Sequence, residues 1–76
     1  MKIKYFAWIK DITNKDQEEI NNDLPKSISE LNKILCKLYP NLEIHIKNDV
    51  LRYAINMEYI STDKELSASD EIAIFP

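Results

Sequence analysis

Apolar and polar residues alternate over the first ten positions of the chain, a pattern typical of a β-strand. The predicted strand runs from Lys2 to Lys10 and presents Ile3, Tyr5, Ala7 and Ile9 on one face and Phe6 and Trp8 on the other. The polar segment Thr13 to Asp16 predicts a turn, and Gln17 to Leu24 predicts a second, acidic strand. Its charge is typical of a sheet edge, where it deters unwanted pairing.

One amphipathic helix is predicted in the middle of the chain. Ser27 and Glu30 have the spacing of a capping box, and Pro40 ends the helix. The apolar positions between them share one helical face: Ile28, Leu31, Ile34, Leu35 and Leu38. In the crossover from Asn41 to Val50, the alternation of Leu42, Ile44 and Ile46 allows a short extra strand.

The last third of the chain predicts three more strands. They are Leu51 to Asn56, Glu58 to Ile60 and Glu71 to Phe75, with turns at Asn56-Met57 and at Leu66 to Asp70. The order is therefore β-β-α-β-β-β in a single domain spanning residues 1–76. One helix must cover one face of a mixed sheet of four to five strands. This is an α+β fold of the β-grasp, ubiquitin-like kind.

Composition excludes several classes of function. The chain has 76 residues, a formal net charge of -3 and no glycine. The charge argues against a nucleic-acid partner, which would need a basic surface. The lack of glycine excludes the P-loop, the dinucleotide-binding fingerprint and the nucleophile elbow. The single cysteine permits no internal disulfide and favours the reducing cytoplasm, and no apolar run is long enough to predict a membrane span.

No side chains in the sequence form a recognisable catalytic or metal site. His45 is the only histidine and Cys36 the only cysteine, so soft metal ligands are lacking. We expect His45 to point outward from the short extra strand, and Cys36 to be a buried, inert thiol beside the apolar helix face. The carboxylates lack the spacing of a calcium loop and indicate a solvated acidic surface.

The face of the predicted sheet that lies away from the helix is unusually apolar. It receives Phe6 and Trp8, Arg52 and Ala54, Ala73 and Phe75, and also Tyr59. The first strand should lie beside the last, which brings Phe6 or Trp8 next to Phe75. A solvated sheet face is normally polar, so this one predicts a surface that binds another protein. A surface with isolated exposed aromatics and no partner is the alternative.

Three blocks of sequence resemble the MoaD-type sulfur carriers, the small subunits of molybdopterin synthase. Phe6-Ala7 followed by Lys10-Asp11 is similar to the family's F-A-x-x-R-E block, and Ile55-Asn56 to its V-N-G-like turn. The last block, L-x-x-G-D-E-V-A-x-F-P, is matched by Leu66, Asp70, Glu71, Ile72, Ala73, Phe75 and Pro76, with Ser69 in place of glycine. The resemblance covers essentially the whole chain.

The resemblance implies a non-catalytic carrier with no bound cofactor. In the family, a C-terminal glycine is adenylated with ATP by a MoeB-type, E1-like enzyme and converted to a thiocarboxylate. The MoaE-type large subunit, which holds the active site, then uses this sulfur to convert cyclic pyranopterin monophosphate. The resemblance places partner contacts at Phe6, Tyr59 and Phe75. Together with the open face, it makes the predicted partner-binding set Phe6, Trp8, Arg52, Tyr59, Phe75 and Pro76.

The sequence departs from the family at its C-terminus. The reactive glycine is expected beyond Pro76, and we expect the natural chain to continue into a short glycine-ending tail. Two alternatives remain. One is a sulfur carrier of another pathway, such as the thiamine-type ThiS proteins. The other is a tailless β-grasp module that only binds a protein.

Overall fold

The computed structural model describes residues 1–76 and contains one mixed sheet with helices on one face. The strands are β1 Lys2–Tyr5, β2 Gln17–Glu19, β3 Arg52–Ile55, β4 Glu58–Ile60 and β5 Glu71–Phe75. The helices are α1 Trp8–Thr13, α2 Ile28–Leu38 and α3 Glu43–Lys47, and a 3₁₀ helix, Pro40–Leu42, separates α2 from α3. The predicted α+β class is confirmed.

The sheet has the strand order β2-β1-β5-β3-β4. β1 and β5 are parallel, and the other three pairs are antiparallel. The parallel pair joins the two ends of the chain at the centre of the sheet, as predicted. In this pair Ile3 lies opposite Ile72 and Tyr5 opposite Ile74.

The core lies between the sheet and α2. The alternation in β1 and β5 places Ile3, Ile72 and Ile74 on the side of the sheet that faces α2, the inner face, where all three are fully buried. Leu31 and Leu35 of α2 are fully buried against the same layer. This apolar contact removes these five side chains from water and so contributes hydrophobic stabilisation.

Helix α2 begins where the sequence predicts. The Ser27 hydroxyl accepts a hydrogen bond from the Glu30 amide at 3.2 Å. The Glu30 carboxylate reaches back to the Lys26 amide rather than to that of Ser27. The carboxylate of Asp63, in the loop after β4, accepts from the Ser29 amide at 3.1 Å. Two free amides of the first turn are thus satisfied, one of them by a residue distant in the sequence.

The prediction that β1 continues to Lys10 is wrong. The strand ends at Tyr5, and Phe6 to Ile9 form a tight turn in which the Ile9 amide donates to the Phe6 carbonyl at 3.2 Å. Ala7 has φ 55° and ψ -138°, which corresponds to the first central position of a type II′ turn, where glycine is usual. Without a glycine to mark the turn, the alternation of the sequence continues through it.

The extra strand allowed between Asn41 and Val50 is also absent. Leu42 is buried at the end of the 3₁₀ helix, and Ile46 packs against the core from α3. Ile44, between them, is 56% exposed. The apolar contacts therefore follow the i, i+4 spacing of a helix, which a short alternating stretch cannot distinguish from the spacing of a strand.

Candidate protein-docking site

The face of the sheet away from α2, the open face, is divided into a polar and an apolar half. Register and alternation place Gln17 and Glu19 of β2, Lys2 and Lys4 of β1, and Glu71 of β5 on the polar half. Lys4 Nζ lies 3.6 Å from a carboxylate oxygen of Glu71. These side chains make an ordinary solvated surface.

The apolar half, here called the apolar patch, consists of Phe6, Ala54, Tyr59, Ala73 and Phe75. Ala54 lies opposite both Ala73 and Tyr59, so three strands meet there. The rings of Tyr59 and Phe75 have centroids 6.2 Å apart and an interplanar angle of 47°. Tyr59 is 57% and Phe6 45% exposed. Large aromatic side chains left this open on a sheet face are typical of a protein-binding surface.

Phe6 joins the patch although β1 has ended. Its amide donates to the Ile74 carbonyl at 3.1 Å, which continues the ladder between β1 and β5 by one step. Since Tyr5 points inward, Phe6 alternates to the open face, at the register position beside Phe75. The left-handed Ala7 then turns the chain away, so Phe6 is the last residue of this segment on the patch.

The prediction that Trp8 lies on the open face is wrong. Trp8 begins α1, and its ring packs on that of His45 in α3 with a centroid distance of 4.7 Å. The type II′ turn reverses the alternation that had assigned it to the side of Phe6. Of the six predicted partner-binding residues, the structure brings Phe6, Arg52, Tyr59 and Phe75 to one face. Pro76 is exposed immediately after β5.

Asp49 is a neighbour of the predicted site that sequence patterns did not reveal. It lies between α3 and β3 with φ 55°, and its carboxylate oxygen is 3.9 Å from Nη1 of Arg52. The sequence places Asp49 in the crossover and Arg52 in the strand that follows it, and the i, i+3 spacing of the two residues was the only local signal for this pair.

The surroundings of His45 and Cys36 give neither residue the environment of a catalytic group. His45 lies in α3 rather than in a strand, and it is partly buried against Trp8. Cys36 is half-buried, and burial together with the nearby Glu43 carboxylate raises the pKa of its thiol, which disfavours the nucleophilic thiolate. No group of three or more His, Cys, Asp or Glu side chains is arranged to hold a metal ion.

A cavity of about 430 Å³ lies between α2 and β4. Its lining is mainly polar, and the polar groups bond to each other. The Tyr53 hydroxyl donates to Asn32 Oδ1 at 2.6 Å, and Ser29 is bonded to Asp63. Burial raises the pKa of Tyr53 to about 12, so its hydroxyl remains a donor at neutral pH. These residues therefore offer few free groups to a ligand, and Asp49 and Arg52 also line the cavity.

Comparison with known proteins agrees with the resemblance seen in the sequence. A sequence model of the ThiS family matches residues 3–76. The chain belongs to the ThiS family. It is 25% identical over 76 residues to the molybdopterin synthase sulfur carrier subunit of Escherichia coli (strain K12), covering 100% of this chain and 93% of that protein.

Two solved structures share the fold over nearly their whole length. The putative molybdopterin converting factor, subunit 1, from Pyrococcus furiosus superposes with a TM-score of 0.82 and 26% identity, covering 99% of this chain and 93% of that one. Haloferax volcanii small archaeal modifier protein 1 superposes with a TM-score of 0.80 at 22% identity, covering 100% and 94%. At that identity the second likeness concerns the fold alone. The β-grasp prediction is confirmed. None of the helices is long and apolar enough to span a bilayer.

Proposed function

We propose that this protein is the sulfur carrier subunit of a molybdopterin synthase. The observation that carries the proposal is the apolar patch, which lies where β5 leads out to Pro76. A carrier must bind partner enzymes through its body while its C-terminal end reaches their active sites. A patch beside that end suits both requirements. The similarity to the Escherichia coli carrier subunit over the whole chain supports the same function.

We propose that the chemistry takes place on a C-terminal glycine, as the resemblance to the MoaD-type carriers implies. Its carboxylate attacks the α-phosphate of ATP in a MoeB-type adenylyltransferase, forming an acyl-adenylate and releasing pyrophosphate. A sulfur donor then displaces AMP and leaves a thiocarboxylate. On the MoaE-type large subunit this sulfur passes to cyclic pyranopterin monophosphate, and water restores the carboxylate. A glycine end suits a narrow channel because it carries no side chain.

In this proposal the residues of the folded domain bind and do not catalyse. The apolar patch docks the domain, and the catalytic groups belong to the large subunit. We propose that carrier and large subunit assemble as a heterotetramer in the cytoplasm. ATP is consumed by the activating enzyme, so the carrier itself needs no cofactor.

Mass spectrometry of the complete natural protein tests the proposal. The protein is incubated with its MoeB-type enzyme, ATP and a sulfur donor, with a reaction lacking ATP as the control. We expect an ATP-dependent mass increase at the C-terminus equal to replacement of oxygen by sulfur. An unchanged mass under conditions in which the Escherichia coli carrier is converted would contradict the proposal and favour a module that only binds proteins.

A second measurement separates this pathway from the thiamine-type alternative. The thiocarboxylated protein is mixed with the MoaE-type subunit and cyclic pyranopterin monophosphate. Formation of molybdopterin supports the proposal. Thiocarboxylate formation without any molybdopterin would assign the carrier to another pathway.

A further inference from the structure

Arg52 is the one charged residue within the apolar half of the open face. It lies opposite Phe75 in the pairing of β3 with β5, and its neighbours on the same face are Ala54, Ala73 and Tyr59. The other charges of the face lie on β2, on β1 and at the start of β5, in the polar half, where Lys4 already has Glu71 as a partner. A partner that covers the apolar patch therefore also covers the Arg52 side chain.

Hydrogen bonds hold one end of the Arg52 guanidinium in place. Nη1 donates to the carbonyl oxygens of Asp49 and Leu51, at 2.8 and 2.9 Å. The remaining donors, on Nη2 and Nε, bond to no other group of the chain. Fixing one end of a planar donor group reduces the entropy that a second contact costs. Arg52 is thus oriented and still has free N–H groups.

The carboxylate that faces Arg52 within the chain is a weak partner. Asp49 Oδ1 lies 3.9 Å from Nη1, and the Asp49 side chain is 95% exposed. An ion pair this long and this open to solvent contributes little. Arg52 can therefore form a stronger ion pair with another carboxylate, one that approaches within hydrogen-bond distance of Nη2 or Nε.

We propose that Arg52 recognises an aspartate or glutamate of the protein that docks on the apolar patch, and so selects which partner the patch accepts. A partner without that carboxylate would leave the guanidinium covered and unpaired, which is costly. The partner surface is thus apolar around Tyr59 and Phe75, with a carboxylate opposite the Phe75–Arg52 pair. The inference deepens the proposed function and rests on it.

The test is a set of affinities for the MoaE-type subunit of the same organism, measured by calorimetry. We expect Arg52→Met to weaken binding about tenfold or more, as the loss of a paired interfacial charge does. Asp49→Asn should tighten binding by about two- to threefold, because it removes the competing carboxylate. The double variant should bind like Arg52→Met, and its affinity should depend less on salt than that of the wild type.

Lys4→Met is the matched control, since it removes a cation from the polar half of the same face. It should leave the affinity within about twofold. Melting temperatures separate a folding defect from a docking defect. If Arg52 only secures the carbonyls of Asp49 and Leu51, Arg52→Met lowers the melting temperature but Asp49→Asn does not tighten binding. That pattern overturns the inference alone. Absence of binding by the wild type overturns the inference together with the proposed function.

Discussion

Glu18 shows how one residue can link three elements of this small domain. It pairs with Ile3 across the antiparallel β1–β2 ladder, and its side chain points toward α2 rather than to solvent. One carboxylate oxygen, Oε2, accepts from the hydroxyls of both Tyr5 and Tyr39, and the other lies 3.4 Å from Lys15 Nζ. The acidic composition of β2 predicted an edge that repels other strands. Glu18 has in addition an inward, stabilising role.

This network sets the ionisation of its members. Burial alone would raise the pKa of Glu18, but the hydrogen bonds from Tyr39 and Tyr5 and the charge of Lys15 outweigh it and hold the pKa below its ordinary value. Burial and the bond to Glu18 raise the pKa of Tyr5, so its hydroxyl stays a donor. The folded state therefore favours a charged carboxylate beside neutral phenols.

The first prediction concerns Glu18→Gln. A depressed pKa contributes stability that is present above the ordinary value of 4.5 and is lost as the pH falls through the lowered value. We expect Glu18→Gln to cost about 1 kcal/mol of unfolding free energy at pH 7 and to flatten the acid limb of the stability curve. Urea unfolding at several pH values measures both. Glu19→Gln, an exposed neighbour, should change neither; equal acid limbs for wild type and Glu18→Gln would contradict the expectation.

The hairpin between β3 and β4 makes its tight turn without glycine. Asn56 and Met57 form its two-residue turn with φ values of 51° and 69°. Two left-handed residues are typical of a type I′ turn, which matches the twist of the strands. Asn56 tolerates this conformation, and its side chain also bonds to the Glu71 amide and the Asp70 carboxylate. Met57 has no such compensation and is 92% exposed.

The second prediction follows from the backbone of Met57. A left-handed conformation costs a residue with a Cβ atom about 1 kcal/mol, and glycine avoids the cost. Met57→Gly should therefore raise the free energy of unfolding by about that amount, although glycine usually destabilises. Ala68→Gly, at an exposed position with negative φ, is the control and should lower it slightly. A lower stability for Met57→Gly than for wild type would show that the turn has another form.

At the scale of the whole molecule, the two faces of the sheet differ in burial. The inner face carries the fully buried isoleucines and holds the domain together against α2. The open face makes little contribution to the core and leaves the Phe6 and Tyr59 rings exposed. If docking uses the apolar patch as proposed, stability and docking lie on opposite faces, and substitutions on the patch should affect the two separately.

The third prediction tests this separation with Phe75→Ala. We expect the affinity for the MoaE-type subunit to fall by about 2 kcal/mol or more, as for buried aromatic anchors in other interfaces. Phe75 is half-buried, so the melting temperature of the Phe75→Ala variant has to be measured as well. Tyr59→Ala, at the more exposed partner of the ring pair, should weaken binding while leaving the fold intact. Gln17→Ala on the polar half is the control. Unchanged affinity for both aromatic variants would place the docking surface elsewhere.

The sequence alone was sufficient for the elements whose signals are local. The capping pair Ser27 and Glu30 gave the start of α2, and alternation placed Ile72 and Ile74 inside. These predictions succeeded because hydrogen bonds within one turn and side-chain period within one strand depend on neighbouring residues only. The family resemblance, which rests on short blocks of sequence, was confirmed as well.

Tertiary structure decided where the local pattern stops and which distant residues meet. The turn at Ala7 ends β1 without a glycine to announce it, and so moves Trp8 from the open face to His45. Leu42 and Ile46 are spaced as in a helix, which lets both side chains pack in or against the core. A short stretch of sequence does not reveal this packing. The pairing of Arg52 with Phe75 depends on the register between strands far apart in the chain, which packing of the whole sheet sets. The sequence thus determined the fold and its buried face, while the arrangement of side chains on the open face followed from the assembled sheet.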